Sequence, residues 1–239
     1  MDQKHGSAAE QVYAYVRERV ISGDFAAGAR LTEWQIADAM GTSRTPVREA
    51  MRRLVGDGFL RFQRNYGTFV GTYTAKEIGE LFELRALLES EVAGAAARGI
   101  SAAQIQQLTS LQAQIEEHGP DLGRDNLERI AALNRDFHLV IAQASDSPRM
   151  VSMLTNAIEA PVVQQTFRRY SEVQLQRSFH HHRELIDAFR AGDSLWARHA
   201  MSCHVRAARF AILGAPVASA HGDASAPVVH AGKPWDTSS

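Results

Sequence analysis

The sequence predicts a mainly α protein: three short helices closed by a small β-hairpin, then an all-α antiparallel helical bundle. Three observations carry this. Apolar residues recur at helical spacing in three early segments. The period then shortens to that of strands at "FLRFQ" and "GTFVG", two β-prone runs joined through "RNYG". From Thr74 nearly to Ala211 helical patterning returns, punctuated only by "HGP", "SDSP", Pro161 and "AGD", which divides the segment into about six helices. Three helices followed by a two-stranded ribbon is the winged helix-turn-helix arrangement.

The first helix is expected from about Ala8 to Ser22, with Val12, Val16 and Val20 stacked on one face and Gly23 ending it. The second starts at Thr32, where "TEWQ" has the form of a capping box, and ends near Gly41. The third starts at Ser43 or Thr45, with Pro46 tolerated in a first turn whose N–H groups have no intrahelical partner. Its apolar residues Val47, Ala50, Met51 and Leu54 define a core face. Thr74, with Glu77 three residues on, opens the bundle.

The composition is globular, with 45% hydrophobic and 22% charged residues, and it matches neither a disordered chain nor a collagen-like or disulfide scaffold. A single cysteine, Cys203, excludes an internal disulfide framework, and "MDQKHGSAAEQ" has no apolar core of the kind a signal peptide carries. A cytoplasmic setting is expected, with no membrane partner, since no apolar run approaches the roughly 20 residues of a span. The net charge of -1 excludes a protein that coats nucleic acid over its whole surface. Any contact with nucleic acid must be local.

Such a local site is visible in "GTSRTPVREAMRRLVGDGFL". On a helical wheel Thr45, Arg48 and Arg52 point away from the apolar face, and Arg44 sits at the exposed first turn. Arg48 and Arg52 repel each other at i, i+4, at a cost of a few tenths of a kcal/mol that an anionic partner offsets. A helix entering the major groove from its N-terminal end presents arginine to guanine and to phosphate, while first-turn hydroxyl and N–H groups suit phosphate oxygens. In the wing, Arg64 and Asn65 beside Gly67 are placed to reach phosphate or the minor groove. The bland alternative is a solvated amphipathic helix with Glu49 and Arg53 as an ordinary pair.

The stretch "ARLTEWQIADAMGTSRTPVREAMRRLVGDGFLRFQRNYGTFV" closely resembles the DNA-binding domain of the GntR family of bacterial transcription regulators. The resemblance implies that Ser43, Arg44, Thr45, Arg48 and Gly67 occupy DNA-contacting positions. Two residues depart from the pattern: Trp34 stands where the family usually has arginine, and Ala27 where proline usually precedes Gly28.

In the bundle, three helices each aim one imidazole inward. His138 shares its stripe with Ile130, Phe137 and Ile141, and Asn134 lies one turn before it; His182 lies among Phe179, Leu185, Ile186 and Phe189; His204 lies among Ala197, Ala200, Met201 and Ala208. One inward histidine is most often a hydrogen-bonded core residue. Three with an adjacent amide oxygen point to a divalent metal ion, zinc for preference, with nickel or another transition metal as alternatives. The remaining members of "HHH" are expected in solvent. On the helix opening the bundle, Arg85 and Glu89 share the apolar stripe of Ile78, Leu81, Leu88 and Val92. Arg85 either forms a structural salt bridge with Glu89 or receives a small carboxylate effector.

"ELRALLE", "NRDFH", "HRELIDAFRAGD" and "MSCH" resemble the FCD ligand-binding domain of the FadR-like branch of that family. This resemblance implies a metal held by Asn134, His138, His182 and His204. It also implies a homodimer reading palindromic operator DNA, usually as a repressor. The expected organisation is a winged helix-turn-helix domain over 1–72, a linker over 73–76, an effector-binding and dimerisation domain over 77–213 and a disordered tail over 214–239. Two competing readings stay open: a metal-dependent hydrolase, disfavoured because no inward carboxylate other than the Arg85-bound Glu89 sits near the histidines, and a regulator whose metal is structural or itself sensed.

Overall fold

The valine stripe of the first helix forms one side of a small core. In the computed structural model, which describes residues 7–119, 121–158, 160–164 and 166–214 without the side chains of Asn156 and Gln164, α1 spans Ala8–Ser22. Ser7 and Glu10 close a capping box at its start, and Val12, Val16 and Val20 are at most 2% exposed. They pack on Val47, Ala50, Met51 and Leu54 of α3 (Arg44–Gly56) and on Ile36 and Ala37 of α2 (Glu33–Met40). Thr32 and Gln35 form the capping box that starts α2. Gly41, at φ +59°, ends it in a left-handed conformation that a side chain disfavours, so the chain reverses tightly into α3.

The sheet has three antiparallel strands in the order β1-β3-β2, with β1 Arg30–Leu31, β2 Leu60–Gln63 and β3 Gly67–Val70. β2 and β3 are the expected hairpin, registered Leu60 opposite Val70 and Gln63 opposite Gly67. β1, which pairs Arg30 with Phe69, was not expected, because two residues are too few to show alternation. Phe59, Leu60 and Val70 carry the sheet into the core.

The chain divides after Thr74 into two compact units. The second consists of α4 (Ala75–Ala96), α5 (Ala102–Glu117), α6 (Arg124–Ala144), α7 (Pro148–Ile158), α8 (Pro161–Gln164), a 3-10 turn at Thr166–Arg169, α9 (Glu172–Ala191) and α10 (Ser194–Leu213). α8 and the 3-10 turn are single turns that the sequence pattern did not separate. Ser101 and Ser171 form capping boxes with Gln104 and Gln174, and Asp193 caps α10. α10 packs most extensively on α4 and next on α9, and α5 bridges α6 and α9. Ile130, Phe137, Leu175, Phe179 and Leu185 are at most 2% exposed, each worth roughly 1.5–3 kcal/mol of burial. From residue 215 onward, the tail expected over 214–239 lies outside the described residues. Among the described residues no helix is long and apolar enough to cross a membrane.

Candidate functional site

In the first unit, the face of α3 opposite the core is where the predicted contact residues lie. Ser43, Arg44, Thr45, Arg48 and Arg52 are all exposed. Ser43 is the N-cap of α3, yet its hydroxyl makes no cap hydrogen bond, unlike Ser7, Thr32, Ser101 and Ser171. The first-turn N–H groups of α3 thus keep no side-chain acceptor. Arg44 donates to Oε2 of Glu33 at 2.9 Å, and Arg48 donates through Nε to Oε1 at 2.8 Å and through Nη2 to Oε2 at 2.9 Å. Hydrogen bonding from Arg48, and then from Arg44, overcomes the effect of partial burial and lowers the pKa of Glu33 to about 2. Trp34, beside it on α2, is 65% exposed.

Arg64 is exposed in the turn that joins β2 to β3. Gly67 follows at φ +109°, a conformation that favours glycine, and a Cβ there would lie 3.2 Å from Nε of Arg30, whose flexible side chain packs against it. Arg30 was not singled out in the sequence, since its place beside the wing depends on the unexpected β1 strand.

In the second unit, α6, α9 and α10 bring His138, His182 and His204 together, with ligand atoms all within 4.8 Å of one another. The three residues are 3%, 1% and 5% exposed. Each ring is set by its surroundings. His182 stacks on Phe137 at 4.1 Å between centroids and 12° between planes. Its Nδ1 lies 2.7 Å from Oε1 of Gln112, whose amide nitrogen donates in turn to Glu116 at 2.6 Å, and Arg183 donates to the same Glu116 oxygen at 2.7 Å. The amide is thereby oriented with its oxygen toward His182, so the ring proton is assigned to Nδ1 and Nε2 is left bare, buried and without a partner. Nδ1 of His138 lies 2.6 Å from Oε2 of Glu89, a close charge contact whose geometry is not that of a hydrogen bond.

Nε2 of His138 and Nε2 of His204 are 3.2 Å apart. Two nitrogens sharing one ion at about 2.0–2.1 Å stand roughly 2.9 Å apart at a right angle and 3.4 Å at the tetrahedral angle. Asn134, one turn before His138 on α6, has a buried Oδ1 with no hydrogen-bond partner. Burial, together with the neighbouring imidazoles, lowers the pKa of His182 and His204 well below the ordinary value, which keeps them neutral as ligation requires. Three imidazoles gathered in this way could hold a divalent ion, and such donors suit zinc or a similar metal.

Arg85 is 5% exposed, and its Nε and Nη2 each lie 2.8 Å from Oε1 of Glu89. This is the salt bridge weighed in the sequence. Glu89, the Arg85-bound carboxylate singled out in the sequence as the one near the histidines, also faces His138. Burial alone would raise the pKa of Glu89, but Arg85 and then His138 hold it well below the ordinary carboxylate range. Kept ionised by the Arg85 guanidinium, it is a poor general base.

The reading of "HHH" needs one correction. His180 is exposed, with Nδ1 2.6 Å from the Gln176 carbonyl, whereas His181 is half-buried with its ring edge-on to His204, 5.9 Å between centroids. Gln112 was also missed: it lies on α5 among glutamines that are mostly solvated, and only its spacing with the buried Leu108 and Ile115 hinted at an inward position.

Comparison with known proteins is consistent across both units. The family profile "Bacterial regulatory proteins, gntR family" matches residues 8–70, and that of the FCD domain matches residues 80–207. The HTH-type transcriptional regulator YdhC of Bacillus subtilis is 33% identical over 146 residues, which take in 60% of this chain and 63% of that protein, less than two thirds of its length. A "Probable D-xylose utilization operon transcriptional repressor" of Paenarthrobacter nicotinovorans is 29% identical over 203 residues, 84% of this chain and 87% of that one. The crystal structure of a GntR transcriptional regulator from Rhodococcus sp. RHA1 superimposes with a TM-score of 0.70 at 25% identity, covering 88% of this chain and 99% of that chain.

Proposed function

The chain belongs to the gntR family of bacterial regulatory proteins and carries an FCD domain, and from that premise we propose that it represses transcription under the control of a small carboxylate effector, with a divalent metal ion held in its helical domain. As a member of this family it is a transcription regulator and not an enzyme.

The reading head is α2, the Gly41 turn and α3. Ser43, Arg44, Thr45, Arg48 and Arg52 lie in the major groove, Arg64 and Gly67 bring the wing to the DNA backbone, and two copies of the chain, working in the cytoplasm as a homodimer, read a palindromic operator. Repression is favoured by the repressor role in the name of the P. nicotinovorans relative.

Asn134, His138, His182 and His204 hold the ion, zinc for preference. The observation that carries this reading is that His138, His182 and His204 bring buried ligand atoms within 4.8 Å of one another, with Nδ1 of His182 held by Gln112 and its Nε2 left without a partner. When bound, the ion supplies a positive charge and a cross-link among α6, α9 and α10. Arg85, its Nε and Nη2 held by Glu89, acts on the effector carboxylate as a fixed positive charge. The effector changes DNA affinity only by binding one state of the protein better than the other.

The test is elemental analysis of the purified full-length protein together with fluorescence anisotropy on a duplex selected from a random pool. One ion per chain and a carboxylate-dependent change in DNA affinity are expected. Folded protein without metal would sink the metal centre, and DNA affinity indifferent to every carboxylate tried would sink the effector reading.

A further inference from the structure

Leu31 is buried in the core of the winged-helix unit, so its neighbour on β1, Arg30, points to the opposite, outer face of the sheet. The register sets what shares that face. Arg30 pairs with Phe69, Phe69 pairs in turn with Arg61, and Gly67 lies two residues before Phe69 on β3. A Cβ on Gly67 would meet three atoms of the Arg30 guanidinium, Nε at 3.2 Å, Nη2 at 3.5 Å and Cζ at 3.8 Å. The guanidinium therefore lies across the bare backbone of the glycine, at the root of the wing. Arg61, on the same face, is already engaged, its Nη2 donating to the Thr72 carbonyl at 3.0 Å. Arg30 is exposed, and among the described residues no carboxylate or carbonyl pairs with it.

We propose that Arg30 is a further DNA contact of this protein, gripping one backbone phosphate beside the wing, and that Gly67 acts as its seat. The inference rests on the DNA-binding reading given above. A guanidinium presents planar, paired donors that match the oxygens of a phosphate. At the reading helix Glu33 cancels one charge of the Arg44 and Arg48 pair. No described group does so for Arg30, so its whole charge is open to an anion. Laid against Gly67 before DNA arrives, the side chain has less rotamer freedom to lose on binding. Its place at the root of the wing, and not in the turn with Arg64, suits the backbone, where a contact fixes register and carries no sequence information. Gly67 then contributes through the side chain it lacks: a methyl group there would shift the guanidinium off its seat.

The experiment measures binding of the full-length protein to a selected operator duplex and to an unrelated duplex, by fluorescence anisotropy over a range of salt. Arg30→Ala should weaken both complexes about tenfold and lower the log–log salt slope by about one unit per bound chain. Its melting temperature should be unchanged. Arg30→Lys, which keeps the charge, should restore the slope. Gly67→Ala should weaken binding in the wild-type background and cost far less in Arg30→Ala, because both changes act on one contact. Wild-type affinity and slope in Arg30→Ala overturn the proposal. A loss confined to the operator makes Arg30 a reader of bases and overturns the phosphate contact, and an equal cost of Gly67→Ala in both backgrounds overturns the seat. Wild-type protein that binds neither duplex fails differently: the DNA-binding reading itself falls, and the Arg30 contact with it.

Discussion

Glu33 grips Arg48 through both carboxylate oxygens, at 2.8 and 2.9 Å, and shares one of those oxygens with Arg44. The two arginines at the start of the reading helix are therefore held side by side by a single carboxylate, which orients them and cancels one of their charges. Phosphate must compete with Glu33 for them. In Glu33→Ala, affinity for nonspecific duplex DNA should rise, and the log–log salt slope should steepen by about one unit, as for one more uncompensated cation. Anisotropy titrations from low to moderate salt measure both. An unchanged slope would show that Glu33 does not screen this surface.

Arg48→Ala removes a guanidinium that stands clear of the core, so stability should change by no more than about 0.5 kcal/mol. Affinity for a selected operator should fall by about 1–3 kcal/mol or more, since base and phosphate contacts are lost together. Wild-type operator affinity in a well-folded variant would refute the role given to α3.

The same carboxylate sets an acid response. The pKa of Glu33 is depressed from 4.5 to about 2, so its ion pair stabilises the fold above pH 4.5 and that contribution is lost as pH falls from there toward 2. The stability difference between wild type and Glu33→Gln, read from urea midpoints, should shrink over this window. A difference constant down to pH 2 would contradict the pairing in solution.

At the metal centre, His182→Ala combined with His204→Ala should abolish bound metal, and full stoichiometry by elemental analysis would refute the site. Gln112→Leu tests the support instead of the ligands. With nothing to receive the Nδ1 proton of His182, metal affinity should drop about 10–100-fold while the ion, once bound, keeps its stoichiometry. Competition with a chromophoric chelator gives the number.

Glu89→Gln leaves the Arg85 guanidinium buried without a counter-ion. Thermal unfolding should show a loss of about 3–5 kcal/mol in the metal-free protein, much of it recovered by Arg85→Met in the same chain. If the single change leaves the melting temperature where it was, the pair carries no structural load.

Much of this was legible in the sequence because periodicity reports which face of a helix is buried. Val47, Ala50, Met51 and Leu54 locate the core of α3 and, by elimination, its exposed arginines; the stripes through Phe137, Phe179 and Met201 each contain their histidine. What stayed hidden depends on contacts between elements far apart in the chain. Gln112 meets His182 across 70 positions, a pairing no local pattern encodes. Glu33 looked like a helix-start acid favoured by the dipole, and only the turn at Gly41 brings it against Arg48, 15 residues on. β1 has two residues and no period, so its Arg30 beside Gly67 was invisible.

α4 begins at Ala75, the first residue after the winged-helix unit, and runs for 22 residues without interruption, with Glu89 two thirds of the way along it. At 1.5 Å per residue, about 21 Å of helix separate Ala75 from Glu89. Ile78 and Phe82, 3% and 1% exposed, bury the first half of that stretch, so α4 is held along its length and not at Glu89 alone. A change in the charge that Glu89 meets at its centre is thus borne by the whole helix.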